Sequence, residues 1–162
     1  MNRHNAMRTP PAKMVRDLDT AEQFLIWALR RRHFDGEPPS DQLVQGFFLA
    51  FGLTYIERAL ASFETIIRVL DEFGDRPSIP VTHCQPRLTA DEAALLLLFA
   101  HPRNYPATEP AINTCHMLRG DGWAALANAL NDFARLMVAC DLAQRVSLST
   151  ASMPRAKPIN LN

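Results

Sequence analysis

The segment from residue 41 to residue 73 is the feature that most limits what this chain can fold into. Its apolar side chains recur every three or four residues, the spacing that places them on one face of an α-helix. The apolar positions are Val44, Phe47, Phe48, Phe51, Tyr55, Ile56, Leu60, Phe63, Ile66, Ile67, Leu70 and Phe73. One straight helix of this length would extend ~50 Å, more than a small domain covers easily. We therefore expect a break near Gly46 or Gly52, or a partner molecule along the exposed part.

Four further segments are predicted to be helical from their apolar spacing and from residues that favour helix ends. They cover residues 20–32, 90–101, 108–118 and 123–143. The expected N-terminal caps are Asp19 or Thr20, then Ser40, then Thr89 in a capping box with Glu92. No stretch alternates apolar and polar residues long enough to predict a sheet. The predicted fold is all-α: a single-domain helical bundle of about five helices.

Charge divides the chain into three parts, although its formal net charge is zero. The first sixteen residues have four basic side chains and no acidic one, and the last eighteen have three basic and no acidic ones. We expect residues 1–17 to be a flexible basic arm, 18–144 the helical domain and 145–162 a flexible basic tail, with both termini disordered or loosely packed. Basic arms can bind phosphates, but blocks this dilute on an acidic body argue against nucleic acid as a partner.

Location is predicted from what the sequence does not contain. The longest apolar run, residues 93–100, is shorter than the ~20 residues that a bilayer span requires. The N-terminus is basic but has no apolar stretch behind it, so it does not predict a secretory signal. The three cysteines have no C-x-x-C spacing, which favours reduced thiols. We predict a cytoplasmic protein with no membrane contact.

Two adjacent His/Cys pairs raise the question of a metal centre. The candidate ligands are His83, Cys84, Cys115 and His116, with His101 at a predicted helix end. A structural zinc site usually has a short C-x₂₋₄-C turn, whereas neighbouring residues on one helix or strand point in different directions. One ligand from each pair with His101 would still make a three-ligand site. We expect no cofactor, and keep zinc as the alternative.

Two other groups of residues are candidates for recognition. The aromatic-rich part of the long helix, Phe47, Phe48, Phe51 and Tyr55, offers more apolar surface than one small core would cover, which predicts an interface in a symmetric homodimer. The loop after the most apolar helix brings together several polar side chains, and loops on rigid scaffolds often carry recognition chemistry. This candidate recognition loop contains His101, Arg103, Asn104 and Tyr105.

Three functional hypotheses follow. The first is a homodimeric regulatory or adaptor module that acts through protein–protein contact, with another protein as a further partner. The second is a metal or small-molecule sensor that uses the His/Cys cluster. The third is a nucleic-acid-binding regulator with basic arms. An enzyme is the least supported class, because no nucleophile–base pair or pair of acidic groups stands out.

Overall fold

The computed structural model describes residues 14–74, 84–100 and 118–151, with side chains described as far as residue 141. This part of the chain is all-α, as predicted, with four α-helices and no β-strand. The helices are α1 (Thr20–Asp35), α2 (Asp41–Phe73), α3 (Ala90–Ala100) and α4 (Gly122–Ala151). The helix predicted over residues 108–118 lies outside the described residues except for Leu118.

The helix bounds agree with the sequence at α2 and differ most at α4. The last helix was predicted to end near residue 143, and this is wrong, because it continues to Ala151. The physical reason is in the sequence: no glycine or proline interrupts residues 123–153, so nothing forces the helix to end earlier. Residues 145–151 of the predicted tail are therefore helical.

The end of the predicted N-terminal arm also belongs to the fold. Met14 forms an isolated β-bridge with Arg87, and the Val15 amide donates to the Pro86 carbonyl at 2.8 Å. A short 3₁₀ turn, Val15–Asp17, follows and leads into α1. The segment that precedes α3 is thereby attached to the segment that precedes α1.

The predicted caps are confirmed at three helix starts. Asp19 and Glu22 form a capping box, in which the Glu22 amide donates to the Asp19 carboxylate at 2.8 Å. The Ser40 hydroxyl accepts from the Leu43 amide at the start of α2. Thr89 and Glu92 form the second capping box, with the Thr89 amide 2.8 Å from the Glu92 carboxylate. Each cap satisfies backbone donors that a helix start leaves without partners.

The core is centred on Phe47, whose ring is surrounded by four other phenylalanines. Its centroid lies between 5.1 and 6.3 Å from the rings of Phe24, Phe51, Phe63 and Phe133, which come from α1, α2 and α4. Such separations are typical of aromatic pairs in protein interiors. Helices α2 and α4 make the most extensive contact, so the aromatic cluster joins the two longest elements.

Helix α2 is broken at Gly52, which is one of the two glycines at which the sequence predicted a break. Gly52 has φ 65° and ψ 177°, a conformation that is essentially restricted to glycine. Gly46, the other candidate, has a helical backbone, and its missing side chain allows a close contact between two helices. A Cβ at this position would lie 2.1 Å from the ring of Trp27, so the missing side chain lets α1 and α2 approach closely. The break divides α2 into two shorter helical parts.

Candidate functional site

An apolar groove lies beside the break in α2, where α1, α2 and α4 meet. It has a volume of about 610 Å³, within the ~300–1,000 Å³ range of ligand and peptide sites. Its lining residues are Thr20, Ala21, Phe24, Leu49, Ala50, Phe51, Met137, Val138, Cys140 and Asp141. We call this surface the break groove. It exists because the chain changes direction at Gly52 and leaves α2 and α4 imperfectly packed there.

The inner wall of the break groove includes the thiol of Cys140. This side chain is buried, and its Sγ lies 3.5 Å from the Ala50 carbonyl oxygen and 3.6 Å from that of Phe51. Both carbonyls belong to the last residues of α2 before the break. A thiol is a weak donor, so these contacts contribute little energy, but they hold α4 against the bent part of α2. Cys140 therefore has a structural position, as expected for a cysteine on the apolar seam of a helix.

The rim of the break groove exposes large apolar side chains. Leu49 is 73% exposed and Val138 is 61% exposed, and both line the groove. Leu53, immediately after the break, is 81% exposed. Single exposed leucines are ordinary on protein surfaces, but several around one apolar depression are typical of a surface that contacts another molecule.

The structure divides the four residues predicted to form the interface. Phe47 and Phe51 are buried in the aromatic core and are not available on the surface of this chain. Tyr55 is partly buried and packs against that core, whereas Phe48 is exposed. The reason is that α4 supplies Phe133 to the same cluster, so the core accommodates more aromatic surface than the sequence suggested. A dimer interface at this helix stays a prediction, carried by different residues.

Of the five predicted metal ligands, the structure describes Cys84 alone. Its side chain is exposed and lines a cleft of about 380 Å³ together with Trp27 and Arg30. His83, His101, Cys115 and His116 lie outside the described residues. Within the part of the chain that is described, no group of three or more His, Cys, Asp or Glu side chains is placed to hold a metal ion. The predicted recognition loop, with Arg103, Asn104 and Tyr105 beside His101, also lies outside the described residues.

The most extensive polar contact among the described residues is a buried ion pair that joins α1 to α3. Arg30 and Glu92 are 3% and 0% exposed, and two nitrogens of the guanidinium donate to the two carboxylate oxygens at 2.6 and 2.8 Å. The remaining donors reach the carbonyls of Gln85 and Arg87. Arg30 thus fixes both α3 and the segment that leads into it, with its charge paired and its hydrogen bonds made.

A second buried arginine, Arg32, joins α1 to α2 and to the loop between them. Its guanidinium donates to Glu64 at 3.2 Å, to Glu37 at 2.6 Å and to the Gly36 carbonyl at 2.8 Å. Burial acts to lower the pKa of Arg32, but the hydrogen bonds and negative charges of Glu64 and Glu37 outweigh burial, and the pKa is raised. Because a raised pKa in the folded state adds stability below the unfolded value, this contribution is complete at neutral pH and is lost only in strongly alkaline solution.

Sequence reasoning missed both the groove and the arginine contacts. Leu49 and Leu53 lie off the regular apolar stripe of α2, which is the signal that they face outward. Arg30 is four residues after Ile26 and Glu92 is three residues before Leu95, so each charge lies on an apolar stripe. Opposite charges on two apolar stripes are the pattern that indicates a buried pair, because a lone buried charge is too costly.

Comparisons with protein-family models, with curated proteins and with solved structures find no match for this chain. One helix among the described residues, α2, is long and apolar enough to cross a membrane by length and composition alone. This criterion is weak, because core helices of soluble proteins also meet it. Within its most apolar 18-residue window, 22% of the residues are buried.

Proposed function

We propose that this chain is a small cytoplasmic module, a bundle of about five helices, that acts as a homodimer through protein–protein contact. The break groove and its exposed rim are the proposed docking surface. The observation that carries the proposal is the exposure of the apolar side chains Leu49 and Val138 on the groove, 73% and 61%, since apolar surface gains free energy when a partner covers it.

A second copy of the same chain suits the break groove in shape. The groove is concave, and the exposed side chains of Leu49 and Val138 form part of its lining. A two-fold arrangement brings the same patch of both subunits together, so Leu49 of one copy can enter the groove of the other. A symmetric dimer requires a self-complementary surface, and a surface that contains both a projection and a depression can meet that requirement.

Charge is also compatible with self-association. The formal net charge of the chain is zero, so two copies have no net repulsion to overcome. The groove lining contains one charged residue, Asp141, at its edge, and the rest of the lining except Thr20 is apolar or a thiol. Few polar groups would therefore lose water when the groove is covered, which keeps the desolvation cost low.

The test is the mass of the protein in solution at micromolar concentration. Light scattering coupled to size exclusion is expected to give twice the 18.2 kDa of one chain. Leu49→Asp places a charge on the groove rim, and because Leu49 is 73% exposed the fold itself should tolerate it. This variant is expected to elute as a monomer with an unchanged circular dichroism spectrum.

The matched control is Leu97→Asp, the same substitution at a leucine that is 43% exposed on α3. It should leave the dimer intact, because Leu97 is not part of the break groove. A wild-type protein that is monomeric at this concentration rules out the homodimer, and equal dissociation by both variants rules out the groove as its interface.

The other two hypotheses remain predictions that the described residues do not test. Four of the five proposed sensor ligands, and most of the basic arms proposed for nucleic acid, lie outside those residues. No described arrangement gives a reason to prefer either function to protein–protein contact.

A further inference from the structure

A second depression, between the C-terminal part of α2 and α4, differs from the break groove in its chemistry. It has a volume of about 570 Å³ and shares no lining residue with the break groove. We call it the α2–α4 crevice. It remains open because the facing positions include small residues, among them Ala61, Ala129 and Ala139, where larger side chains would fill the space.

The α2–α4 crevice has an apolar floor and a charged rim. Ala129 and Leu136 are buried at its base, whereas Arg58, Asp132 and Arg135 are exposed around it. The described ion pairs involve neither Arg58 nor Arg135, in contrast to the arginines of α1. Two guanidinium groups with one carboxylate leave a rim of net charge +1, which matches a single negative charge.

Hydroxyl groups complete the lining. Tyr55 and Ser62 are partly buried and line the crevice on the α2 side, at positions seven residues apart on one helix face. Hydroxyls can donate to an anion or accept from a neutral polar group, so they add hydrogen bonds without adding charge. Guanidinium groups, hydroxyls and an apolar floor together suit a ligand that has an anionic group attached to an apolar body.

We propose that the α2–α4 crevice binds small organic carboxylates with an apolar body. The carboxylate accepts from the planar guanidinium donors of Arg58 and Arg135, whose geometry suits two parallel hydrogen bonds. The apolar body lies on Ala129 and Leu136. A monoanion is favoured over a phosphate ester because Asp132 on the same rim would repel a second negative charge.

Titration of the ¹⁵N-labelled full chain with benzoate, followed by amide chemical shifts, tests this proposal. Benzoate is expected to produce saturable shifts with millimolar affinity, concentrated between residues 55 and 65 and between 129 and 139. Benzyl alcohol, which has the same ring without the charge, is expected to bind at least about twofold more weakly. Arg58→Gln and Arg135→Gln should each weaken benzoate binding by about two- to fivefold, because exposed charge contacts contribute modestly.

Arg87→Gln is the matched control, since it removes one positive charge at an exposed residue outside the crevice. It should leave benzoate binding unchanged. Shifts that do not saturate, that appear elsewhere in the chain, or that respond equally to all three arginine substitutions would each overturn the proposal. The binding test does not depend on oligomeric state, so it stands or fails separately from the homodimer.

Discussion

Glu92 makes two contacts at once, one at the start of its own helix α3 and one with Arg30 of α1. Glu92 accepts from the Thr89 amide as part of a capping box and also neutralises a guanidinium from α1. A buried ion pair contributes little to stability when compared with well-packed apolar residues, but removal of one partner is costly because the other charge stays buried. The pair connects α3 and the segment before it to α1, because Arg30 also donates to the carbonyls of Gln85 and Arg87.

Glu92→Gln is expected to lower the free energy of unfolding by about 3–5 kcal/mol, because Arg30 would keep an unpaired charge in the interior. Glutamine can still take part in the capping box with Thr89, so the loss reports on the charge. The double variant Arg30→Met with Glu92→Gln should lose less than the sum of the two single changes, since the orphaned charge is then absent. Urea denaturation measures all three differences.

Asp17→Asn provides the comparison at a surface pair, since Arg16 and Asp17 are 3.8 Å apart with both side chains largely exposed. It should leave the unfolding midpoint unchanged. A loss below about 1 kcal/mol for Glu92→Gln would contradict the burial of the pair, because that is the size of effect found for exposed pairs.

Single residues were the level at which the sequence was least informative. The cap residues Asp19, Ser40 and Thr89 were predictable, because a cap depends on neighbours within four positions. The partner of Arg30 is 62 residues away, so the place of Arg30 on an apolar stripe indicates burial but does not identify the acid that pairs with it. The same holds for Glu64, which accepts from Arg32 on α1, 32 residues away.

At the scale of elements, the break in α2 determines the shape of the molecule. The sequence predicted the helix from residue 41 to 73 and the need for a break, because length and periodicity are both visible in one chain. It did not decide between Gly46 and Gly52. Gly46 instead leaves room for the ring of Trp27 on α1, a contact between helices that the local sequence does not reveal.

Gly52→Ala is expected to destabilise the fold by about 1–3 kcal/mol, the range for a non-glycine residue held in a strained conformation. No atom lies within 4 Å of the added Cβ, so the cost comes from the backbone alone. The sign of this change in unfolding free energy distinguishes a broken helix from a continuous one. In a continuous helix, alanine would stabilise by about 1 kcal/mol relative to glycine. A more stable Gly52→Ala protein in thermal or urea denaturation would show that α2 is unbroken in solution.

Gly46→Ala gives a contrast by a different mechanism. Its Cβ collides with the Trp27 ring, so Trp27→Leu should recover part of the stability that Gly46→Ala loses. The same Trp27→Leu change should give no recovery in the Gly52→Ala background, because the strain there is not steric.

At the scale of the whole molecule, the fold class was predictable and the distribution of its apolar surface was not. Helical periodicity identifies which residues face inward along one helix, but the amount of surface that remains exposed depends on how many helices surround it. Helix α4 covers Phe47 and Phe51. The large apolar side chains that stay exposed nearby are instead Leu49, Leu53 and Val138. Of the predicted interface residues, Phe47 and Phe51 lie in the core and Phe48 is exposed, so an interface on α2 stays a prediction that these two buried residues cannot serve.

If the break groove is covered by a second copy, stability should depend on protein concentration. The melting temperature of the wild type is expected to rise by about 2 °C for each tenfold increase, because association couples to folding by mass action. Leu49→Asp should melt at one temperature over the same range. Differential scanning calorimetry at several concentrations makes this comparison, and a wild-type melting temperature independent of concentration would contradict it.

The ion pair between Arg30 and Glu92 also affects the order in which parts of the chain fold. The two residues are 62 positions apart, with the whole of α2 between them, so closing that loop is entropically costly until α2 has docked. We infer that the Arg30–Glu92 ion pair forms after the transition state for folding. Weakening it would then accelerate unfolding while leaving the refolding rate almost untouched, which makes this pair a determinant of the lifetime of the native state.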